Sequence, residues 1–90
     1  MIQDELVIQN KLGLHARAAS KIVSLASKYE SETTLLVISS GMEANCKSIM
    51  GLMILSVSCG DQVRLSASGP DELEAIDNVR LLINSKFGEE

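Results

Sequence analysis

The chain predicts a two-layer α+β fold, an open-faced sandwich of order β-α-β-β-α-β-α with three helices on one face of a four-stranded antiparallel sheet. Three observations predict it. Residues 62–68 alternate strictly, with Val63, Leu65 and Ala67 on one side and Gln62, Arg64, Ser66 and Ser68 on the other, so one sheet face is covered and one meets water. Apolar residues recur at intervals of three and four over 16–29 and 73–83, which marks two amphipathic helices. Between them, two β-type runs meet at Ser39-Ser40-Gly41, a turn sequence joining a hairpin.

Taken in order, Glu5 to Gln9 is a short β-type run, and Asn10-Lys11-Leu12-Gly13 supplies turn residues after it. The first helix is expected over Ala16 to Tyr29, burying Ala19, Ile22, Val23, Ala26 and Tyr29. The hairpin follows as Thr33–Ile38 and Met42–Cys46, the first rich in β-branched and aliphatic residues. Ser48 to Leu55 is apolar almost all round and makes a short second helix, with the Ser48 hydroxyl placed to cap it. After the alternating strand, Gly69-Pro70-Asp71-Glu72 opens a third helix, with Pro70 in its first turn and Leu73, Ile76, Val79, Arg80 and Ile83 at helical spacing to about Ser85.

Composition narrows the function. Ninety residues make one domain, 1–90, with room for one modest core. With no Trp, one Tyr and one Phe, the chain has no aromatic platform for bases, and a net charge of −4 without a Lys/Arg cluster argues against nucleic acid. Acids at Asp4 and Glu5 stand where a secretory signal needs a basic stretch, and no apolar run approaches the ~20 residues of a membrane span, so a cytoplasmic protein without membrane insertion is expected. Cys46 and Cys59 lack C-x-x-C spacing, and a single histidine completes no metal set; reduced, mostly buried thiols, no metal and no cofactor are expected.

That single histidine is the candidate reactive group. His15 lies in Gly13-Leu14-His15-Ala16-Arg17, where the first helix begins. Backbone N–H groups without intrahelical partners and the positive end of the helix dipole meet there, as an anion site requires. Arg17 adds a planar, permanently charged fork. Both features act against further positive charge on the ring, leaving a nitrogen lone pair to attack phosphorus, and both would hold the phosphoryl charge afterwards. A hydrolase or autonomous transferase would need a base and an orienting group beside a nucleophile, and no Ser/Cys partner for His15 is evident. A plain α+β interaction module, with an incidental histidine, is the alternative from another class.

Three segments in this order, Gly13-Leu14-His15-Ala16-Arg17, Lys47-Ser48-Ile49-Met50-Gly51-Leu52-Met53 and Ser66-Ala67-Ser68-Gly69-Pro70-Asp71-Glu72, closely resemble the histidine-containing phosphocarrier (HPr) family of the bacterial phosphoenolpyruvate-dependent phosphotransferase system. The resemblance covers essentially the whole chain and implies an HPr-like fold and a relay. Enzyme I would pass a phosphoryl group to Nδ1 of His15, assisted by Arg17, and His15 would hand it to enzyme IIA domains of mannose or nitrogen type. It also implies a monomer, neither an independent catalyst nor a passive binder. Ser48 falls on the family's regulatory serine, the target of an HPr kinase/phosphorylase, and a phosphate there would sit at a helix start within the docking surface. Ala16, Ser20, Ile49, Met50 and Met53, with Arg17, are the expected docking residues, because so many apolar side chains on one short helix cannot all face inward. Ala18 departs from the family's usual proline. The Lys47–Met53 segment favours a kinase-regulated sugar-branch carrier, whereas Asn10–Gly13, the longer hairpin connection and the Phe87–Glu90 tail look nearer the nitrogen-branch paralogue.

Overall fold

Alternation in the sequence becomes the two faces of one sheet. In the computed structural model, which describes residues 1–89, β1 (Ile2–Val7), β2 (Glu32–Val37), β3 (Glu43–Asn45) and β4 (Gln62–Ser68) lie in the order β1-β4-β2-β3, every neighbouring pair antiparallel. Leu6, Thr33, Leu35, Val37, Val63, Leu65 and Ala67 point to the buried face, against α1 (Ala16–Ala26), α2 (Ile49–Ile54) and α3 (Glu72–Asn84). One aliphatic core joins the layers, each fully buried Leu, Ile or Val contributing about 1.5–3 kcal/mol.

The first strand starts earlier than the expected Glu5–Gln9. Register with β4 runs from Ile2↔Ala67 to Val7↔Gln62, which turns Gln3 and Glu5 to the exposed face and pairs Glu5 with Arg64 at 2.8 Å. Asp4, half-buried on the helix side, meets Arg80 of α3 at 3.1 Å. Asp4, left outside the expected strand, and Glu5 are thus its lateral ties. Ile8, past its end, stays buried and paired, donating to the Asp61 carbonyl and accepting from the Gly60 amide.

α1 stops at Ala26 rather than Tyr29 because its end tightens: the Lys28 and Tyr29 amides bond three residues back, to Leu25 and Ala26, each at 3.1 Å. Lys47 then donates to the Tyr29 carbonyl at 2.9 Å, and Asn78 to the Tyr29 hydroxyl at 2.6 Å. Ala18, absent from the expected apolar face, is fully buried. The hairpin forms near the expected limits; β3 is shorter than Met42–Cys46, although Val37 still bonds Met42 and Cys46 still bonds Thr33 beyond its ends.

At the start of α3, Pro70 lies outside the helix and Asp71 is its N-cap residue. Asp71 does not cap its own helix: its carboxylate accepts from the Glu30 amide at 3.0 Å, the Ser31 amide at 2.9 Å and the Ser31 hydroxyl at 2.5 Å. Leu73, expected on the apolar stripe, is 66% exposed, and Ala75, Ile76, Val79 and Ile83 form the buried face instead. Beyond the helix a short 3-10 turn, Lys86–Gly88, buries Phe87. The cysteines also divide: Cys46 is buried, its thiol pushed up to about 11 by loss of solvation despite the Thr33 hydrogen bond, whereas Cys59 is exposed, contrary to expectation. Among the described residues no helix is long and apolar enough to cross a membrane.

Candidate functional site

The loop ahead of α1 fixes where His15 stands. Gly13 has φ +64°, and an added Cβ would lie 2.5 Å from the Val57 carbonyl oxygen, so the close approach needs glycine. Leu14 donates to that same carbonyl at 3.0 Å and is buried. The chain therefore enters α1 along one path, and His15, in extended conformation, becomes its N-cap residue.

The His15 ring does not cap the helix. The first bond into the helix runs from the Ala19 amide to the His15 carbonyl at 2.9 Å, leaving the amides of Ala16, Arg17 and Ala18 without intrahelical acceptors. Ala18 keeps an N–H that proline would lack. Arg17 is exposed and makes no hydrogen bond or ion pair among the described residues. His15, Arg17, Leu12, Gly88 and Glu89 line an open pocket of about 600 Å³.

The surroundings expected from sequence were positive alone, and the structure adds a carboxylate. Glu89 Oε2 contacts His15 Nε2, and Glu89 Oε1 accepts from Asn10 Nδ2 at 3.0 Å. Asn10 is fully buried and spends its other N–H on the Gly13 carbonyl at 2.7 Å; its Oδ1 has no partner among the described residues. With two acceptors facing Nδ2, the amide has one sensible orientation. The His15 imidazole above all, then the Asn10 amide and the nearby charges of His15 and Lys21, hold the Glu89 carboxyl below the usual carboxylate range despite some loss of solvation. The tail reaches this position through three successive residues in the left-handed region, Lys86, Phe87 and Gly88. For the first two this costs of order 1–2 kcal/mol each, offset by the buried Phe87 ring and by Lys21, which donates to the Phe87 carbonyl at 2.5 Å. The His15 side chain remains 26% exposed, so the ring is reachable.

Ser48 is the N-cap of α2, its hydroxyl accepting from the Gly51 amide at 3.0 Å. On this helix Leu52 is buried, while Ile49 (41%), Met50 (71%) and Met53 (42%) are exposed, as are Ala16 and Ser20 on α1. Ile54 on the same helix and Leu12 in the pocket lining are exposed too, and were not among the expected docking residues.

Geometry of this kind, a partly exposed imidazole at a helix start whose amides are open, in one pocket with a guanidinium that has no partner among the described residues, suits a phosphorylation site. The family model for the PTS HPr component phosphorylation site matches residues 2–85. The chain belongs to the HPr family. Among HPr relatives, a phosphocarrier protein HPr of Xylella fastidiosa (strain 9a5c) is 44% identical over 90 residues, covering 100% of this chain and 99% of its own. A phosphocarrier protein NPr of Shewanella violacea is 36% identical over 88 residues, covering 98% of this chain and 94% of its own. The crystal structure of HPr-C-His from Thermoanaerobacter tengcongensis superposes with a TM-score of 0.93 at 49% identity, covering 100% of this chain and 99% of that one. The HPr fold thus carries His15 on a helix start here, and the residues that sequence reasoning missed beside it are Asn10 and Glu89. Asn10 reads as a turn residue and Glu89 as part of an acidic end; Phe87, the one phenylalanine, was the available sign that the tail is pinned.

Proposed function

We propose that this HPr-family chain takes a phosphoryl group from phospho-enzyme I onto Nδ1 of His15 and passes it to enzyme IIA domains of mannose or nitrogen type. The observation that carries the reading is the His15 ring itself: Nε2 is taken up by Glu89, which leaves Nδ1 as the nitrogen without a partner among the described residues, in the pocket that Arg17 also lines. Arg17 orients the phosphoryl oxygens and stabilises charge in transfer, and the open amides of α1 hold the product anion. The hold must stay moderate, since each ~1.4 kcal/mol of excess affinity for the charged form slows onward transfer about tenfold.

Ala16, Arg17, Ser20, Ile49, Met50 and Met53 form the docking surface, with flexible thioethers suited to several partners in turn. Phosphorylation of Ser48 by an HPr kinase/phosphorylase adds about 1.5–2 negative charges beside that surface and replaces the cap on the Gly51 amide. Enzyme I docking weakens as a result; unchanged transfer to a Ser48→Asp variant counts against this regulation.

Incubation with enzyme I, Mg²⁺ and labelled phosphoenolpyruvate tests the carrier reading. Acid-labile, base-stable label on wild type and none on His15→Ala is expected. Absence of label on wild type, or its persistence in His15→Ala, contradicts the reading and leaves an interaction module. Onward transfer to mannose-type against nitrogen-type enzyme IIA assigns the branch.

A further inference from the structure

The tail carboxylate reaches His15 at the nitrogen that the carrier chemistry does not use. Glu89 offers two oxygens to two different donors: Oε1 to the buried amide of Asn10 and Oε2 to Nε2 of the imidazole. A carboxylate has no proton to give, so Nε2 is the donor in the contact with Oε2. A neutral imidazole protonated at Nε2 has its lone pair on Nδ1. Asn10 is in turn fixed by the Gly13 carbonyl, in the loop that sets the path into α1. The chain loop, amide, carboxylate and ring is thus continuous.

We propose that Glu89 is a positioning residue for His15: held by Asn10, it keeps the proton on Nε2 and presents Nδ1 as the nucleophile. The proposal rests on the carrier reading above. In the transfer step the Nδ1 lone pair forms the bond to phosphorus, while the bond from phosphorus to the donor protein breaks and its electron pair stays with the donor. The Nε2 proton stays where it is. The ring gains positive charge as the bond forms, and the Glu89 carboxylate lies against the nitrogen that carries it. Onward transfer reverses these changes and returns the same tautomer.

Replacing Glu89 by its isostere gives a test with an inverted outcome. In Glu89→Gln the Asn10 amide keeps an acceptor at the Oε1 place, so the new NH₂ group occupies the Oε2 place and faces Nε2 as a donor. That favours the ring protonated on Nδ1, the wrong form for attack, with the geometry otherwise kept. Glu89→Ala removes the bias without imposing the opposite one.

Long-range ¹H–¹⁵N NMR of the full chain, in alkaline buffer where the ring's own ¹⁵N shifts show the neutral form, reads the tautomer without any partner protein. Wild type is expected to show the Nε2–H form with a ring N–H protected from exchange, Glu89→Gln the Nδ1–H form, and Glu89→Ala a mixture. Phosphoryl acceptance from phospho-enzyme I should fall on the order of a hundredfold in Glu89→Gln and about tenfold in Glu89→Ala, in kcat rather than KM. Unchanged tautomers in both variants, or a Glu89→Gln protein that accepts as fast as Glu89→Ala, would overturn the proposal. Acceptance faster than wild type in either variant also overturns it, because the tail would then be an inhibitory contact. A wild type that takes no phosphoryl group overturns the carrier reading; one that takes it with the ring in the Nδ1–H form overturns this one.

Discussion

Asp71 and Glu89 are both carboxylates drawn below their usual range, and they do different work. Asp71 is held down first by the Ser31 hydroxyl and then by the Glu30 and Ser31 amides; three donors belonging to the fold tie the start of α3 to the chain ahead of β2. Glu89 has two donors among the described residues, and one is the His15 imidazole, the ring that changes its charge if it is phosphorylated as proposed. A carboxylate saturated by donors with no other task is structural. One shared with the proposed phosphoryl acceptor is available to chemistry. The helix starts differ in the same way: Ser48 caps α2, whereas α1 has no side-chain cap and leaves its amides open at His15.

Substitutions can break this contrast from either side. Gly13→Ala should cost about 3 kcal/mol in denaturant unfolding, because the residue combines positive φ with a 2.5 Å approach to Val57. It should also slow phosphotransfer, since the same loop carries Asn10 and His15. Arg17→Ala, at an exposed residue without partners among the described residues, should lower phosphotransfer about a hundredfold and leave the melting temperature unchanged. A drop in melting temperature would mean that the guanidinium belongs to the scaffold.

Asp71→Ala should do the opposite, lowering the melting temperature while leaving phosphotransfer intact. Its pH dependence follows from the lowered carboxyl: the tie acts in full above the ordinary value of 3.8 and is lost as the pH falls through the lower folded value. Thermal melts should therefore show the gap between variant and wild type closing on acidification below 3.8, and a gap that widens there would contradict the assignment. The smallest effect concerns the cysteines. Native protein should take one alkyl group by mass spectrometry, at exposed Cys59, and a second, at Cys46, only after unfolding.

The sequence carried β4, the hairpin, the short capped α2 and the placement of His15 at a helix start, because each rests on local periodicity or a local turn. It started β1 three residues late and ran it two residues long, since Asp4 looks unlike a strand residue until Arg80, distant in sequence, is brought to it. It placed Leu73 inside because helical spacing alone does not say which edge of the stripe the sheet covers. Exposure of Ile49, Met50 and Met53 was legible from crowding on one short helix. The contacts of Asn10 and Glu89 were not, for they join loop to tail across nearly the whole chain, and no spacing in a single sequence encodes them.

On the proposed mechanism, Nδ1 of His15 carries the phosphoryl group while Nε2 keeps its proton against Glu89. Long-range NMR of the ¹⁵N-labelled protein after phosphorylation by enzyme I measures both nitrogens at once. Phosphorus coupling on Nδ1 with a proton retained on Nε2 is the predicted result. Phosphorus on Nε2, or on any residue other than His15, would contradict it.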